Sequence, residues 1–455
     1  MLIGYTAFDP FVVILGTMWA VYLLGKAPIR VVAFMPTALS LYFFIPTVTY
    51  LTLWQTVPMA LTGWVFMRGK IGLPLSGRTV LAVIVLAFML SAAYAVLAGD
   101  DISRAIFRIV YYLGMFAIFL FCYEMGKKSD AYRLLLIGLA VTGLVYAAYG
   151  LYQILGIQFG LPVRGIIRGT YGVDMAYEYG FVRINSLANE PKRLGYVLFL
   201  GAMACVFLAR LQPQYGNRLR LAASGIFTTS LFTFAGSYFA AVFLFVCAAV
   251  LLYPSRATIY FFGLLLAGAV AMAVVSDLGI YEALVHSYER RLEEVELGLD
   301  GQNVYRQEFF AQQYLERHPL AAIFGVGLGQ YYVTLYREYG VGVGLDAFGG
   351  LMPLNSTFLE LVFDLGGGVA VLFYSSIAAL IWKLRRAGEH FLCLALLFVT
   401  VQSLTILTAP FMVFFAGLGI ARLGARCKVV SASLILPRKS GRGQAAMRSM
   451  SAGER

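Results

Sequence analysis

Apolar runs long enough to cross a bilayer recur along the whole chain, and no other feature constrains its fold as strongly. A helix needs about 20 apolar residues to cross a ~30 Å hydrocarbon core. Such runs lie near 8–25, 79–98, 109–126, 134–156, 194–210, 219–235, 237–253, 257–275, 356–382, 389–406 and 408–425. The run 31–67 is too long for one span, and Pro46 with Thr47, Thr49 and Gln55 predicts a tight hairpin of two short spans. The expected fold is all-α: a polytopic integral membrane protein with about 12–13 transmembrane helices and a long extracytoplasmic loop that itself contains helices. Composition agrees. The chain is 60% hydrophobic and 13% charged, against about 25% charged in soluble domains, which excludes a soluble enzyme, a disordered chain and a disulfide scaffold. The N-terminal MLIGYTAFDP has neither a basic n-region nor a small-residue cleavage site, so no removable signal peptide is expected.

The net charge of +12 is a matter of topology. Lys26/Arg30, Arg68/Lys70/Arg78, Lys127/Lys128/Arg133, Arg210/Arg218/Arg220, Arg256 and Lys383/Arg385/Arg386 occupy short loops at alternating ends of the spans, and all can be cytoplasmic at once. The expected division is 1–275, N-terminal spans with an external loop at about 157–193; 276–355, a large external loop; 356–425, C-terminal spans; and 426–455, a basic cytoplasmic tail. The N-terminus is external if the hairpin counts as two spans and cytoplasmic if it counts as one. The external segments 99–108, 157–193 and 276–355 carry 0, +2 and −6, so nucleic acid is not needed to explain the basic balance.

The cysteines at 122, 205, 247 and 393 sit in apolar runs, and Cys427 belongs to no CxxC or Cys/His cluster, so none reads as a metal ligand. The residue inventory calls for no cofactor. In the long loop, Tyr281–Leu297 and Val304–Arg317 read as amphipathic helices, followed by His318-Pro319-Leu320 and Gly325-Val326-Gly327-Leu328-Gly329. This GxGxG lacks the strand and βαβ unit of a nucleotide site and reads as a close-packed turn.

The basic residues of the external surfaces are Arg104, Arg108, Arg164, Arg168, Arg183, Lys192, Arg193, Arg290, Arg291, Arg306, Arg317 and Arg337, eleven of twelve being Arg. A guanidinium grips phosphate oxygens in pairs, although single surface arginines are commonly just solvated. Glu190 precedes Pro191 at the start of a span, among Arg183, Lys192 and Arg193. It suits either a helix-start acid or a general base. Ser356, Glu360 and Asp364 form an i, i+4, i+8 stripe on an otherwise apolar helix, facing a cavity or an arginine partner.

With these residues in view, the chain from about 75 to 425 resembles the O-antigen ligase and polysaccharide polymerase superfamily, bacterial inner-membrane glycosyltransferases that use undecaprenyl-diphosphate-linked glycans. The resemblance rests on Arg183 followed by Glu190-Pro191, on Arg306 with an aromatic helix, His318-Pro319-Leu320 and the glycine turn, and on Asn355-Ser356 followed by Leu359-Glu360 and Gly366. It implies that Arg183 and Arg306 hold the lipid diphosphate, helped by Lys192 or Arg193, and that Asn355, Ser356 and Glu360 line the substrate site. The ligase branch carries a His where this chain has Asn355, and Asn cannot serve as a base at neutral pH. The expected activity is therefore polymerisation of lipid-linked repeat units of an O-antigen or exopolysaccharide, with Glu190 as first candidate base and His318 as second. His318 also suits a turn or cap before Pro319. The alternatives are a ligase that transfers the glycan to lipid A-core and a transporter or flippase of lipid-linked glycan. Implied partners are the glycan donor and acceptor, the bilayer and a chain-length regulator. The active site is expected to face the periplasm.

Overall fold

The computed structural model describes residues 2–3, 9–41, 44–45, 51–69, 75–164, 177–178, 181–182, 184–188, 190–233, 235–254, 307–340, 343–344 and 354–435. Among them the chain is an all-α polytopic membrane protein of sixteen α-helices. The first nine are α1 (Asp9–Lys26), α2 (Val31–Ser40), α3 (Leu53–Arg68), α4 (Leu75–Ala98), α5 (Ile102–Gly126), α6 (Ala131–Phe159), α7 (Pro191–Leu211), α8 (Gly216–Leu231) and α9 (Gly236–Leu252). The rest are α10 (Gln307–Arg317), α11 (Pro319–Phe324), α12 (Tyr331–Tyr339), α13 (Thr357–Leu365), α14 (Gly367–Arg386), α15 (His390–Gln402) and α16 (Ala409–Ile435). Extended pairing among the described residues is confined to two-residue strands, such as the parallel pair of Leu2–Ile3 with Val163–Arg164.

Seven described helices are long and apolar enough to span: α1, α4, α5, α6, α7, α14 and α16. Three apolar segments are shorter, 28–40, 237–252 and 390–402. The run 219–235 forms α8, only 16 residues long, about 24 Å of helix at 1.5 Å per residue. Run 257–275 and the stretch 281–297 lie outside the described residues, as do 304–306.

Two helices joined by a short hairpin occupy the run 31–67, although neither is among the described helices long and apolar enough to span. Helix α2 stops at Ser40, Phe44–Ile45 pairs antiparallel with Leu51–Thr52, and α3 starts at once. Gln55 closes a capping box there: its Oε1 accepts the Thr52 N–H at 2.9 Å, satisfying a donor that the helix start would otherwise orphan. The run 356–382, by contrast, is broken. Gly366 has φ +92°, and a Cβ there would lie 2.2 Å from the Ile323 carbonyl oxygen, so only glycine allows α11 to pack against the break between α13 and α14.

Small residues bring the central helices together. Gly143 of α6 and Gly201 of α7 meet backbone to backbone, and Gly138 abuts Ala33 of α2. Helix α5 packs between α3 and α16. The lipid side is equally clear: Leu86, Met89, Leu90 and Leu97 of α4 are exposed, as a membrane-facing helix requires.

The two ends of the bundle differ. At one end Glu389, just before α15, is buried and takes Arg422 Nη2 at 3.1 Å and Arg426 Nε at 2.9 Å, while Arg385 lies over the Tyr253 ring and Arg422 over Tyr132. Arg210 belongs to the same group. At the other end α10, α12 and α13 share a core of Ala311, Tyr331, Leu335, Leu354 and Phe363, and α11 packs separately on α13.

Candidate functional site

The segment before α7 has a fixed shape because Gln153 of α6 holds it. Buried Gln153 Oε1 accepts the N–H groups of Asn185 and Ser186 at 3.2 and 2.9 Å, and its Nε2 donates to Asn185 Oδ1 at 2.8 Å. Ser186 Oγ donates to the Tyr146 carbonyl at 2.7 Å, and Ser186 itself has φ +50°, a left-handed conformation that a side chain tolerates only where its surroundings impose it. This clamp delivers Glu190 to the N-cap of α7. Glu190 is 6% exposed, and its Oε2 lies 3.2 Å from Lys192 Nζ. The carboxylate makes no side-chain cap bond to the helix N-terminus, so the helix-start role is filled by backbone geometry alone.

The first turn of α7 carries Arg193 into a cavity of about 60 Å³. Its walls come from the same end of several helices: Ser40 closing α2, Trp54 opening α3, Arg108 and Tyr111 of α5, Arg193 and Tyr196 of α7, and Pro410 and Phe411 opening α16. Arg193 Nε and Trp54 Nε1 are shut off from solvent and have no hydrogen-bond partner among the described residues. A buried N–H without an acceptor costs about 1–3 kcal/mol, so a cavity that collects two of them beside a second guanidinium is built to receive an acceptor from outside.

Arg108 is the centre of the charge network. It is 7% exposed, and its guanidinium lies over the Tyr111 ring at 4.8 Å. Nε donates to Asp364 Oδ2 at 2.7 Å, and Nη2 forms an ion pair with Glu360 Oε1. Tyr112 OH also donates to Asp364 Oδ2, at 3.0 Å, and the Gly329 N–H donates to Oδ1 at 3.0 Å. The polar stripe of α13 thus divides: Glu360 and Asp364 both turn to Arg108, whereas Ser356 caps its own helix, Oγ accepting the Leu359 N–H at 3.3 Å.

The glycine turn is close-packed, as its sequence predicts, and it also positions. The Val326 N–H donates to the Phe363 carbonyl at 2.7 Å, and Gly329, with φ +68°, approaches the Arg104 carbonyl so closely that a Cβ would sit 2.7 Å from it. Gln330 then ties the turn to the α4–α5 corner: its Oε1 accepts the Asp100 N–H at 3.0 Å and its Nε2 donates to the Asp101 carbonyl at 3.0 Å. Tyr331 and Tyr332 follow. Burial pushes both phenols above their usual range, which keeps them neutral.

The sequence-predicted residues are therefore not all in one place. Arg193 lines the cavity, and Glu360 reaches it through Arg108. Glu190 is the N-cap of the helix whose first turn carries Lys192 and Arg193. His318 stands apart as the N-cap residue of α11, its ring on Tyr314 at 4.3 Å and its Nε2 3.7 Å from Glu338 Oε1. Asn355 is engaged through its backbone, whose N–H donates to Glu308 Oε1 at 2.5 Å. Arg183 and Arg306 lie outside the described residues.

Sequence reasoning placed Arg108 among the external arginines but not in the site, and it overlooked Trp54 and Tyr111. One signal was available: Arg108 stands directly against an apolar run, with acids due elsewhere inside spans, and a charge at membrane depth needs a partner. No protein-family model and no curated protein matches this chain.

Proposed function

We propose that the chain is a membrane glycosyltransferase that polymerises undecaprenyl-diphosphate-linked oligosaccharide repeat units at the outer leaflet of a bacterial inner membrane, as an O-antigen or exopolysaccharide polymerase. The observation that carries this reading is the cluster of guanidinium and indole N–H donors that line the cavity at the helix ends. Arg108, Arg193 and Trp54 offer N–H groups, two of them unspent, to a ligand that can only accept. A diphosphate ester is such a ligand, and lipid linkage would present it at membrane depth. Arg183 and Arg306 complete the clamp on the strength of the sequence resemblance.

In this mechanism the arginines bind the diphosphate and stabilise the charge that builds on it as the glycosidic carbon–oxygen bond breaks. The acceptor is a terminal sugar hydroxyl of a second lipid-linked glycan. Glu190 takes its proton as the oxygen attacks the anomeric carbon, Lys192 Nζ standing 3.2 Å from the carboxylate beforehand. His318 has the weaker case, because its neighbours are Glu338 and Tyr314 and it does not line the cavity.

The test is deletion of the gene, with lipopolysaccharide and secreted polysaccharide resolved on gels. A polymerase defect leaves single repeat units transferred, or a lost exopolysaccharide. Bare core with accumulated long lipid-linked chains identifies a ligase instead, and unchanged glycans exclude both enzymes. Full activity in Arg183→Ala and Arg306→Ala removes the clamp, and full activity in Glu190→Gln removes that base.

A further inference from the structure

Two carboxylates face one guanidinium at the edge of the cavity, and they are held very differently. Asp364 is fully enclosed and has three donors on its two oxygens: Arg108 Nε, Tyr112 OH and the Gly329 N–H. Its own backbone carbonyl takes a further hydrogen bond from Ser91 of α4. It cannot leave Arg108 without orphaning all three donors, two from side chains and one from the backbone. Glu360 has Arg108 Nη2 as its one ion-pair partner among the described residues. Charge counting sharpens the contrast. Arg108 and Arg193 balance Glu360 and Asp364, so the buried group is neutral when the cavity holds no ion. An entering anion makes it negative in a low-dielectric setting, where an uncompensated charge is expensive.

From this asymmetry we infer that Glu360 is a displaceable counter-ion: a diphosphate ester binding between Arg108 and Arg193 takes over Nη2 of Arg108, and the released Glu360 carboxylate takes up one proton from solvent. Asp364 stays in place throughout and is a positioning residue for Arg108. The inference rests on the anion-binding reading of the cavity and adds to it a coupling between substrate binding and protonation.

Among the described residues, the side chains that interact with Glu360 include no cation besides Arg108 and Arg193. From α5 it meets Arg108, Tyr111 and Tyr112; from α7, Arg193, already committed to the anion; from α12, Tyr331 and Tyr332; from α14, Tyr374. Its own helix adds the like charge of Asp364. Helix α11 has no ionisable side chain, α4 offers the Ser91 hydroxyl to the Asp364 carbonyl, and α10 spends Glu308 on the Asn355 N–H. A freed Glu360 therefore faces phenols, one carboxylate and two guanidiniums occupied by the ligand, and protonation is the remaining way to offset part of the charge that the doubly negative diester brings. The sign follows: protons are taken up on binding, so affinity falls as pH rises, by up to tenfold per unit for one proton.

The experiment is calorimetric titration of the full-length protein in phosphatidylcholine nanodiscs with a short-chain prenyl-diphosphate-linked N-acetylglucosamine, a diester with no proton to lose near neutral pH. Titrations in buffers of different ionisation enthalpy count the protons. The expected result is about one proton taken up per ligand bound, and about none in Glu360→Gln. That variant should bind at least as tightly as wild type, and independently of pH, because the competing carboxylate is gone. A merely structural Glu360 would give weaker binding with unchanged pH dependence, which overturns the inference while leaving the anion site standing. Binding by wild type with no proton uptake overturns it equally. No binding by wild type, with Arg108→Ala and Arg193→Ala indistinguishable from it, overturns the anion reading itself. Loss of binding in discs that contain phosphatidylglycerol assigns the cavity to a bulk lipid headgroup and rejects the diphosphate ester. If Glu360→Gln is not monodisperse, proton counting on wild type alone decides the question.

Discussion

Arg108 shows how one side chain can organise a membrane-embedded site. Removing one partner from a buried, hydrogen-bonded charge pair costs about 3–5 kcal/mol, and at Asp364 the loss would also strand Tyr112 OH and the Gly329 N–H. Asp364→Asn should therefore lower the thermal midpoint of the detergent-solubilised protein far more than Glu360→Gln, whose carboxylate has one partner to lose. Equal midpoints for the two variants would contradict the division of roles between them. Asp101 makes a separate case outside the spans. It caps α5, its Oδ1 accepting the N–H groups of Ser103 and Arg104 at 3.0 and 3.1 Å. Burial raises its pKa, but the bonds from Ser103 and Arg104 together with the Arg104 charge outweigh that, and the carboxyl ends below its usual value. A depressed folded pKa means that the stabilisation is present above the unfolded pKa and is lost as pH falls through the folded one. Asp101→Ala should cost about 1 kcal/mol at neutral pH, as N-cap removal does. The difference from wild type should shrink below about pH 4, as unfolding curves across pH would show.

At the scale of elements, the turn 325–329 joins the outer helices to the charge network. Its glycines read in sequence as a tight turn, and that much was legible. The partners were not. Which carbonyl each glycine would meet depends on α5 and α13, residues far away in the chain, and no local pattern encodes that. A Gly triplet inside an apolar run permits either a kink or a close approach, so the break at Gly366 is decided by its contact with α11 and not by the local sequence. The capping box at Thr52 and Gln55 was half visible: Gln55 marked the hairpin by its polarity, while its hydrogen bond depends on where α3 starts. Gly329→Ala tests the coupling. It forces a Cβ into the Arg104 carbonyl from a left-handed backbone, at about 1–3 kcal/mol for the strain alone, and it shifts the N–H that holds Asp364. Polysaccharide chain length in a complemented deletion strain should fall sharply, with protein still present in the membrane. Gly340→Ala, also at positive φ (+84°) but with nothing near the added Cβ, should cost backbone strain without this loss.

For the whole molecule, the alternation of basic loops was the most informative thing in the sequence, because sidedness is a global property that charge reports locally. The structure gathers Arg210, Arg385, Arg422 and Arg426 with Glu389 at one end, and puts Asp100, Gln330, Arg337 and the Arg193 cavity with the outer helices at the other. Arg183 and Arg306 belong to two of the three local patterns behind the sequence resemblance, whereas the cavity arises from Ser40, Trp54, Arg108, Arg193 and Phe411, which five separate helices bring together; such convergence cannot be read along a chain. The proposed orientation follows from the same polarity. If the basic end is cytoplasmic, single cysteines at Lys127 and Gly388 should resist a membrane-impermeant maleimide in intact spheroplasts and label after lysis. Cysteines at Asp100 and Arg337 should label from outside before lysis. The background would be a chain whose own five cysteines are replaced by alanine or serine. Asp100 and Arg337 pair at 2.8 Å on an exposed surface, so both are reachable, and replacing either should cost little stability. Labelling of all four positions from one side would invert or break the topology, and with it the placement of the cavity on the face where a lipid-linked glycan could reach it.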